Sequence, residues 1–162
     1  MTTLFRLGTG HTAGELFLKV AKAYNEMFLQ SMESPEALAE AWPKLPGVLE
    51  HRRRMARIYA ENLEGGPWEL LNGWQESHVC WRYSFLTDNP EKTVPLSEAL
   101  RAEGFHVSNL YWPLNHFFAP GDNCPDAESF ARRIVNLWVD PSVDSDYVLG
   151  CCRNIHDLYH LI

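Results

Sequence analysis

The chain has 162 residues, a one-domain length with room for a second small lobe. Hydrophobic residues make up 46% and charged residues 22%, enough apolar material for a buried core and too much for an intrinsically disordered chain. A net charge of −7 disfavours general binding to a nucleic-acid backbone, which is driven by Lys and Arg. No run of 18 apolar residues is present, and Met1 to Gly10 lacks the apolar stretch of a secretory signal, so a cytoplasmic protein is expected. The four cysteines, Cys80, Cys124, Cys151 and Cys152, form no CxxC pair and read as buried reduced thiols rather than a disulfide framework or a zinc site.

Taken in order, Thr12-Ala-Gly-Glu15 has the form of a capping box. Leu16, Phe17, Val20, Tyr24 and Met27 follow at helical spacing, which predicts a helix near 13–30. Ser34-Pro35 starts a second helix that Pro43 and Pro46 stop. A third helix, about 47–63, sets Val48, Met55, Tyr59 and Leu63 on one face and His51, Arg52, Arg53, Arg54 and Arg57 on the other. His78 to Leu86 alternates strictly, with Val79, Trp81, Tyr83 and Phe85 on one side and Cys80, Arg82 and Ser84 on the other; this predicts a strand. Asp88-Asn89-Pro90 makes a turn, and a short helix from Leu96 to Glu103 is closed by Gly104 in the left-handed conformation. A strand at Phe105–Tyr111 follows. Next come a helix from Pro125, with Ala127, Phe130, Ile134 and Val135 facing inward, a third strand at Leu137-Trp138-Val139, and a last helix from Asp144. The expected fold is α+β, a small three-stranded, mainly antiparallel sheet covered by helices.

Few residues stand out for chemistry. The run His51-Arg-Arg-Arg54 could meet a phosphate, but on an acidic chain it reads as the solvated side of an amphipathic helix. His156 and His160 share a helix face at i, i+4, yet the acid of an H-E-x-x-H site is missing, and His106 with His116 supports a metal hydrolase only remotely. Gly8-Thr9-Gly10 before a helix has too few glycines and no preceding strand to read as a phosphate loop. Tyr111-Trp112-Pro113-Leu114, followed by Asn115 and His116, ends a strand in large aromatics; such residues wall a pocket or pack an edge against a neighbouring helix or subunit.

The stretch Ala99-Leu-Arg-Ala-Glu-Gly-Phe-His-Val-Ser-Asn-Leu-Tyr-Trp-Pro-Leu114 resembles the small domain of the DegT/DnrJ/EryC1/StrS aminotransferases, pyridoxal-phosphate enzymes that aminate nucleotide-linked keto-sugars. Pro125–Asp144 is similar to that family's closing helix and strand, and Ala37–Leu63 to its long connecting helix, so the likeness spans about residues 37–160. The resemblance implies the C-terminal small domain of a fold-type I enzyme over 37–162, preceded by a helical extension over 1–36. It implies that Tyr111, Trp112 and Asn115, with Arg82 as a weaker addition, line the substrate side of a cleft. The family's catalytic lysine belongs to a large domain that this chain is too short to hold, and its place falls near Thr9. Leu110 and Asn115 stand where the family carries histidines. No catalytic residue and no cofactor are therefore expected in the chain alone. Pyridoxal phosphate would enter only with a companion chain that supplies the lysine domain, or the chain would serve as a non-enzymatic dimerisation or binding module.

Overall fold

The computed structural model describes residues 35–71, 77–109, 113 and 123–162. The helix expected near 13–30 lies outside them. By its contacts the chain divides into two units, Met1–Pro43 with Trp112–Pro125, and Lys44–Tyr111 with Asp126–Ile162. In the first, a seven-residue helix, α1 (Pro35–Ala41), buries none of its side chains.

The second unit holds the core. Helix α2 (Leu45–Leu63) begins with Pro46 in its first turn, where a missing N–H costs nothing. It buries Met55, Ala56, Tyr59 and Leu63, a stripe at helical spacing. Gly65, at φ 77°, then takes the chain out of the helix. The sheet comprises β1 (Trp68–Leu70), β2 (Tyr83–Thr87), β3 (Val107–Ser108) and β4 (Ile134–Leu137) in the order β1-β2-β4-β3, all neighbours antiparallel. Helix α3 (Pro90–Ala102) links β2 to β3, α4 (Pro125–Arg133) runs directly into β4, and α5 (Ser145–Tyr159) closes the unit.

Register fixes which side chains share a face. Tyr83 lies opposite Leu137, Phe85 opposite Val135 and Val107 opposite Leu137. With a period of two, these point to one side, where they form a single cluster with Met55, Tyr59 and Leu63 of α2, Leu96 and Leu100 of α3, and Val148, Cys151 and Ile155 of α5. Each fully buried Phe, Leu, Ile or Val side chain contributes about 1.5–3 kcal/mol by the area it removes from water. The other side carries Ser84 opposite Asn136, where the Ser84 hydroxyl donates to Asn136 Oδ1 at 2.7 Å and Asn136 Nδ2 donates to the Ser108 carbonyl at 3.1 Å. Asn136 is thus buried but satisfied.

The α+β class and the helix-covered antiparallel sheet are as expected, with four strands among the described residues rather than three. The additional strand, Trp68–Leu70, is too short to display an alternation of its own. The strand expected over His78–Leu86 occupies Tyr83–Thr87, so Val79 and Trp81 do not join Tyr83 and Phe85 in the core; they are 40% and 70% exposed. Helix α3 starts at Pro90 instead of Leu96, because Asn89 Oδ1 accepts the Glu91 N–H and Pro90 fits the first turn. Its end is as anticipated: Gly104, at φ 88°, sends its N–H to Arg101 O while Phe105 N–H reaches Leu100 O, the paired bonds of a Schellman cap. Ile134 and Val135 are buried in β4, not on a helix, in keeping with the fit of β-branched residues to a pleated surface. Helix α4 buries no side chain, and Phe130 is 39% exposed. Asp144 caps α5 by accepting the Tyr147 N–H at 2.8 Å.

Candidate functional site

One residue outward from the Tyr83–Leu137–Val107 rungs, the three strands continue into Arg82, Trp138 and His106. The register sets these three residues side by side just beyond the strand ends. The Arg82 guanidinium lies over the Trp138 ring at 3.9 Å, and the His106 ring is 5.8 Å from the Trp138 ring. The His106 backbone N–H donates to the Tyr147 hydroxyl at the start of α5, and Tyr147 packs edge-on against Phe105.

Arg82 is held on several sides at once. Its Nη1 donates to Asp140 Oδ2 at 3.3 Å and to the Trp81 carbonyl at 3.0 Å, and only 16% of its side chain is accessible. Asp140 is fixed in turn, since its Oδ1 accepts the Ser142 N–H and the Ser142 hydroxyl. Burial alone would raise the Asp140 carboxyl, but the two Ser142 bonds and the nearby Arg82 and Arg52 guanidiniums outweigh it and hold its pKa below the ordinary 3.8.

Helix α2 reaches into the same cluster. Arg52 Nη1 donates to the Cys80 carbonyl at 3.3 Å and to the Trp81 carbonyl at 3.0 Å, with its guanidinium 5.1 Å from the Trp81 ring. His51 Nε2 donates to the Asp140 carbonyl at 3.1 Å, leaving Nδ1 to accept from Arg54 at 3.4 Å. The arginine run is therefore only partly a solvated face. Arg52 ties α2 to the segment before β2, a role that required knowing that residues 80–82 fold back on the helix.

Of the four residues expected to line a substrate cleft, Arg82 lies in this cluster, and Tyr111, Trp112 and Asn115 lie outside the described residues. Arg52, Trp81, Trp138 and Asp140 were not anticipated as its companions. Only the register that sets Arg82 beside Trp138 would have found them. His106 joins the aromatic row, whereas His116 is outside the described residues. His156 donates through Nε2 to the Asn62 carbonyl at 2.9 Å and packs edge-on against Trp68.

The fit to pyridoxal phosphate turns on a lysine. Among the described residues, Lys92 Nζ donates to the Tyr159 carbonyl at 2.8 Å and lies over the Tyr159 ring, committed to fastening α3 to α5. Lys44 is exposed where α2 begins. With Lys92 engaged and Lys44 at the exposed start of α2, the described residues form no imine site for the cofactor.

The architecture defines a class: an α+β domain with a small antiparallel sheet covered by helices, like the C-terminal domain of fold-type I pyridoxal-phosphate transferases. No family profile matches the sequence, and no curated protein matches it. Solved structures do match. The fold resembles part of a DegT DnrJ EryC1 StrS aminotransferase from Brucella abortus, at 25% identity and a TM-score of 0.62 over 75% of this chain and 34% of that one. It likewise resembles the aminotransferase TlmJ from Streptoalloteichus hindustanus, at 18% identity and a TM-score of 0.67 over 76% and 35% of the two chains. DesV of S. venezuelae, solved with a ketimine intermediate, matches at 21% identity and a TM-score of 0.65 over 78% and 36%. The chain spans about a third of the length of these solved enzymes. The resemblance to sugar aminotransferases stated from the sequence thus holds for the fold, over a partial domain.

Proposed function

We propose that this chain is the small-domain part of a nucleotide-sugar aminotransferase-like protein, truncated or split, that does not transaminate alone. The observation that carries this reading is the likeness of three quarters of the chain to only about a third of each enzyme. The setting of Lys92 supports it, since its amine is engaged by the Tyr159 carbonyl rather than free to anchor pyridoxal phosphate. In this reading residues 1–36 are an extension and 37–162 the small domain. Tyr111, Trp112, Asn115 and Arg82 line the substrate side of a cleft that a companion large-domain chain or a second copy completes, in the cytoplasm. Pyridoxal phosphate, when held by such a companion, would supply the electron sink.

Absorbance tests the reading. The purified chain mixed with pyridoxal phosphate is expected to give no imine band. Adding a companion chain that carries the lysine domain, encoded by a neighbouring reading frame, is expected to give the band and amination of a sugar nucleotide. An imine formed by the chain alone would overturn it, and so would a lasting absence of the band with the companion present.

A further inference from the structure

The side of α2 turned away from the core carries charge in a set order. Met55, Ala56, Tyr59 and Leu63 are buried, and opposite them on the helix run Glu50, Arg54, Arg57, Glu61 and, at the C-cap, Glu64, all of them exposed. Their spacing alternates between four and three residues, the spacing of a seam along which one helix meets another. Glu50 lies 3.7 Å from Arg53 of its own helix, whereas among the described residues no ion pair engages Glu61 or Glu64. Arg54 reaches His51 Nδ1 at 3.4 Å, and Arg57 has a partner of its own within the chain. The order of signs is unfavourable to a lone helix. Arg54 and Arg57 are like charges three residues apart, and so are Glu61 and Glu64. The two carboxylates also stand at the C-terminal end, where the helix dipole favours cations and the last turn holds no basic residue.

We propose that this face of α2 pairs antiparallel with the same face of a second copy of the chain, Arg54 meeting Glu64 and Arg57 meeting Glu61 across a two-fold axis beside position 59. A two-fold contact needs a surface complementary to itself, and two positive charges followed by two negative ones are complementary to their own reverse. Each pair therefore forms twice. A parallel pairing in register would instead set arginine on arginine and glutamate on glutamate, so the charges also choose the direction. In the antiparallel pair the partner's guanidiniums come alongside the C-terminal end of α2, where they offset both the like-charge repulsion and the unfavourable dipole. Exposed ion pairs add little strength each, and long side chains lose freedom in making them. The contact therefore fixes register and orientation more than affinity, and the dimer is weak and sensitive to salt. The inference stands apart from the cleft reading, since it uses none of the residues assigned to the cleft.

Sedimentation equilibrium of the full chain tests the pairing. In about 20 mM salt reversible dimers are expected, weakening about tenfold in about 0.5 M salt as the charges are screened. Arg54→Glu and Glu64→Arg each turn two attractive contacts into repulsive ones, and each should weaken the dimer about tenfold. Mixed in equal amounts, the two variants face each other with opposite charges at both contacts, so mixed dimers of parental strength should form. Both positions are exposed, so the variants keep the fold, which far-UV circular dichroism checks. A parent chain that stays monomeric at about millimolar concentration in low salt overturns the proposal. So does a dimer indifferent to salt or to either reversal, which would rest on another surface. Two weakened variants whose mixture fails to recover overturn it as well, because the losses would then not come from these contacts. Each of these results leaves the aminotransferase-like reading standing, whereas an imine band from the chain alone sinks that reading and leaves the pairing intact.

Discussion

Gly66 shows how a single missing methyl group positions a structural element. A Cβ at this position would come within 2.0 Å of the Trp68 ring. That ring cannot retreat: its Nε1–H donates to the Leu63 carbonyl at 2.7 Å, and Phe85, His156 and Tyr159 surround it at centroid distances of 5.0 to 5.5 Å. The bond to Leu63 satisfies one of the carbonyls left open where α2 ends. Trp68 therefore joins the end of α2, the first strand and α5, and Gly66 is the residue that lets the indole lie flat against the backbone. Gly66→Ala is expected to destabilise the protein by about 1–3 kcal/mol, the usual cost of overpacking, read as a lower midpoint in urea at unchanged slope. Gly47, where a Cβ would meet nothing within 4 Å, is the control, and Gly47→Ala should be tolerated. Equal losses from the two substitutions would mean that the Trp68 contact is not what the glycine serves.

At the scale of elements, polar groups join α2, the start of β2 and the segment after β4, beside the buried Val139 and Val143 of that segment. Arg82 bonds Asp140, His51 bonds the Asp140 carbonyl, and Arg52 bonds the Cys80 and Trp81 carbonyls. Because its folded-state pKa is depressed, Asp140 contributes stability that is present above the ordinary carboxylate value and is lost as pH falls through the folded value below it. Asp140→Asn should therefore cost about 1–2 kcal/mol near neutral pH, a partly buried charge having lost its partner. The difference from the parent should shrink as pH falls below about 4, where the unfolded parent's carboxyl takes up a proton, and vanish once the folded carboxyl does so at a lower pH. Urea midpoints of the two proteins across that range are the measurement, and parallel curves would remove Asp140 from the account. The same elements mark how far the sequence could be read. Caps and helical stripes were legible because they are local: Asp144, Gly104 and the Met55–Tyr59–Leu63 stripe all lie where spacing put them. The strand before α3 starts later than alternation predicts, because alternation continues through Val79 and Trp81 while Arg52 of α2 takes the Cys80 and Trp81 carbonyls. A bond between residues 29 apart leaves no periodic trace.

Across the whole molecule, the core combines apolar packing with thiols and phenols that have been withdrawn from water. Burial pushes the Cys151 and Cys152 thiols up to about 12. Burial likewise raises the Tyr83 and Tyr159 phenols to about 12, helped at Tyr159 by its hydrogen bond to Asp88, and it drives Tyr59 strongly upward. These residues come from α2, β2 and α5, so their shared setting belongs to the assembled core and not to any one element. The expectation of buried, reduced cysteines holds for Cys151 and Cys152, while Cys80 and Cys124 are only half-buried. The sign of the consequence follows from proton counting. In the unfolded chain a thiol gives up its proton near pH 9 and a phenol near pH 10, whereas the folded chain keeps these protons until about pH 12. Between those limits the unfolded state binds fewer protons, so stability is fully present below about pH 9 and falls as pH rises toward 12. Two measurements test this together. The urea midpoint should be flat from about pH 7 to 9 and then drop steeply, with a slope set by several groups at once. At pH 8, iodoacetamide should label Cys151 and Cys152 only as fast as the chain opens globally, since the thiolate is the reactive form and neither sulfur meets solvent in the folded state. Rapid labelling of both thiols in the folded protein, with a midpoint indifferent to pH up to 11, would mean that α5 does not pack on α2 and the sheet as described.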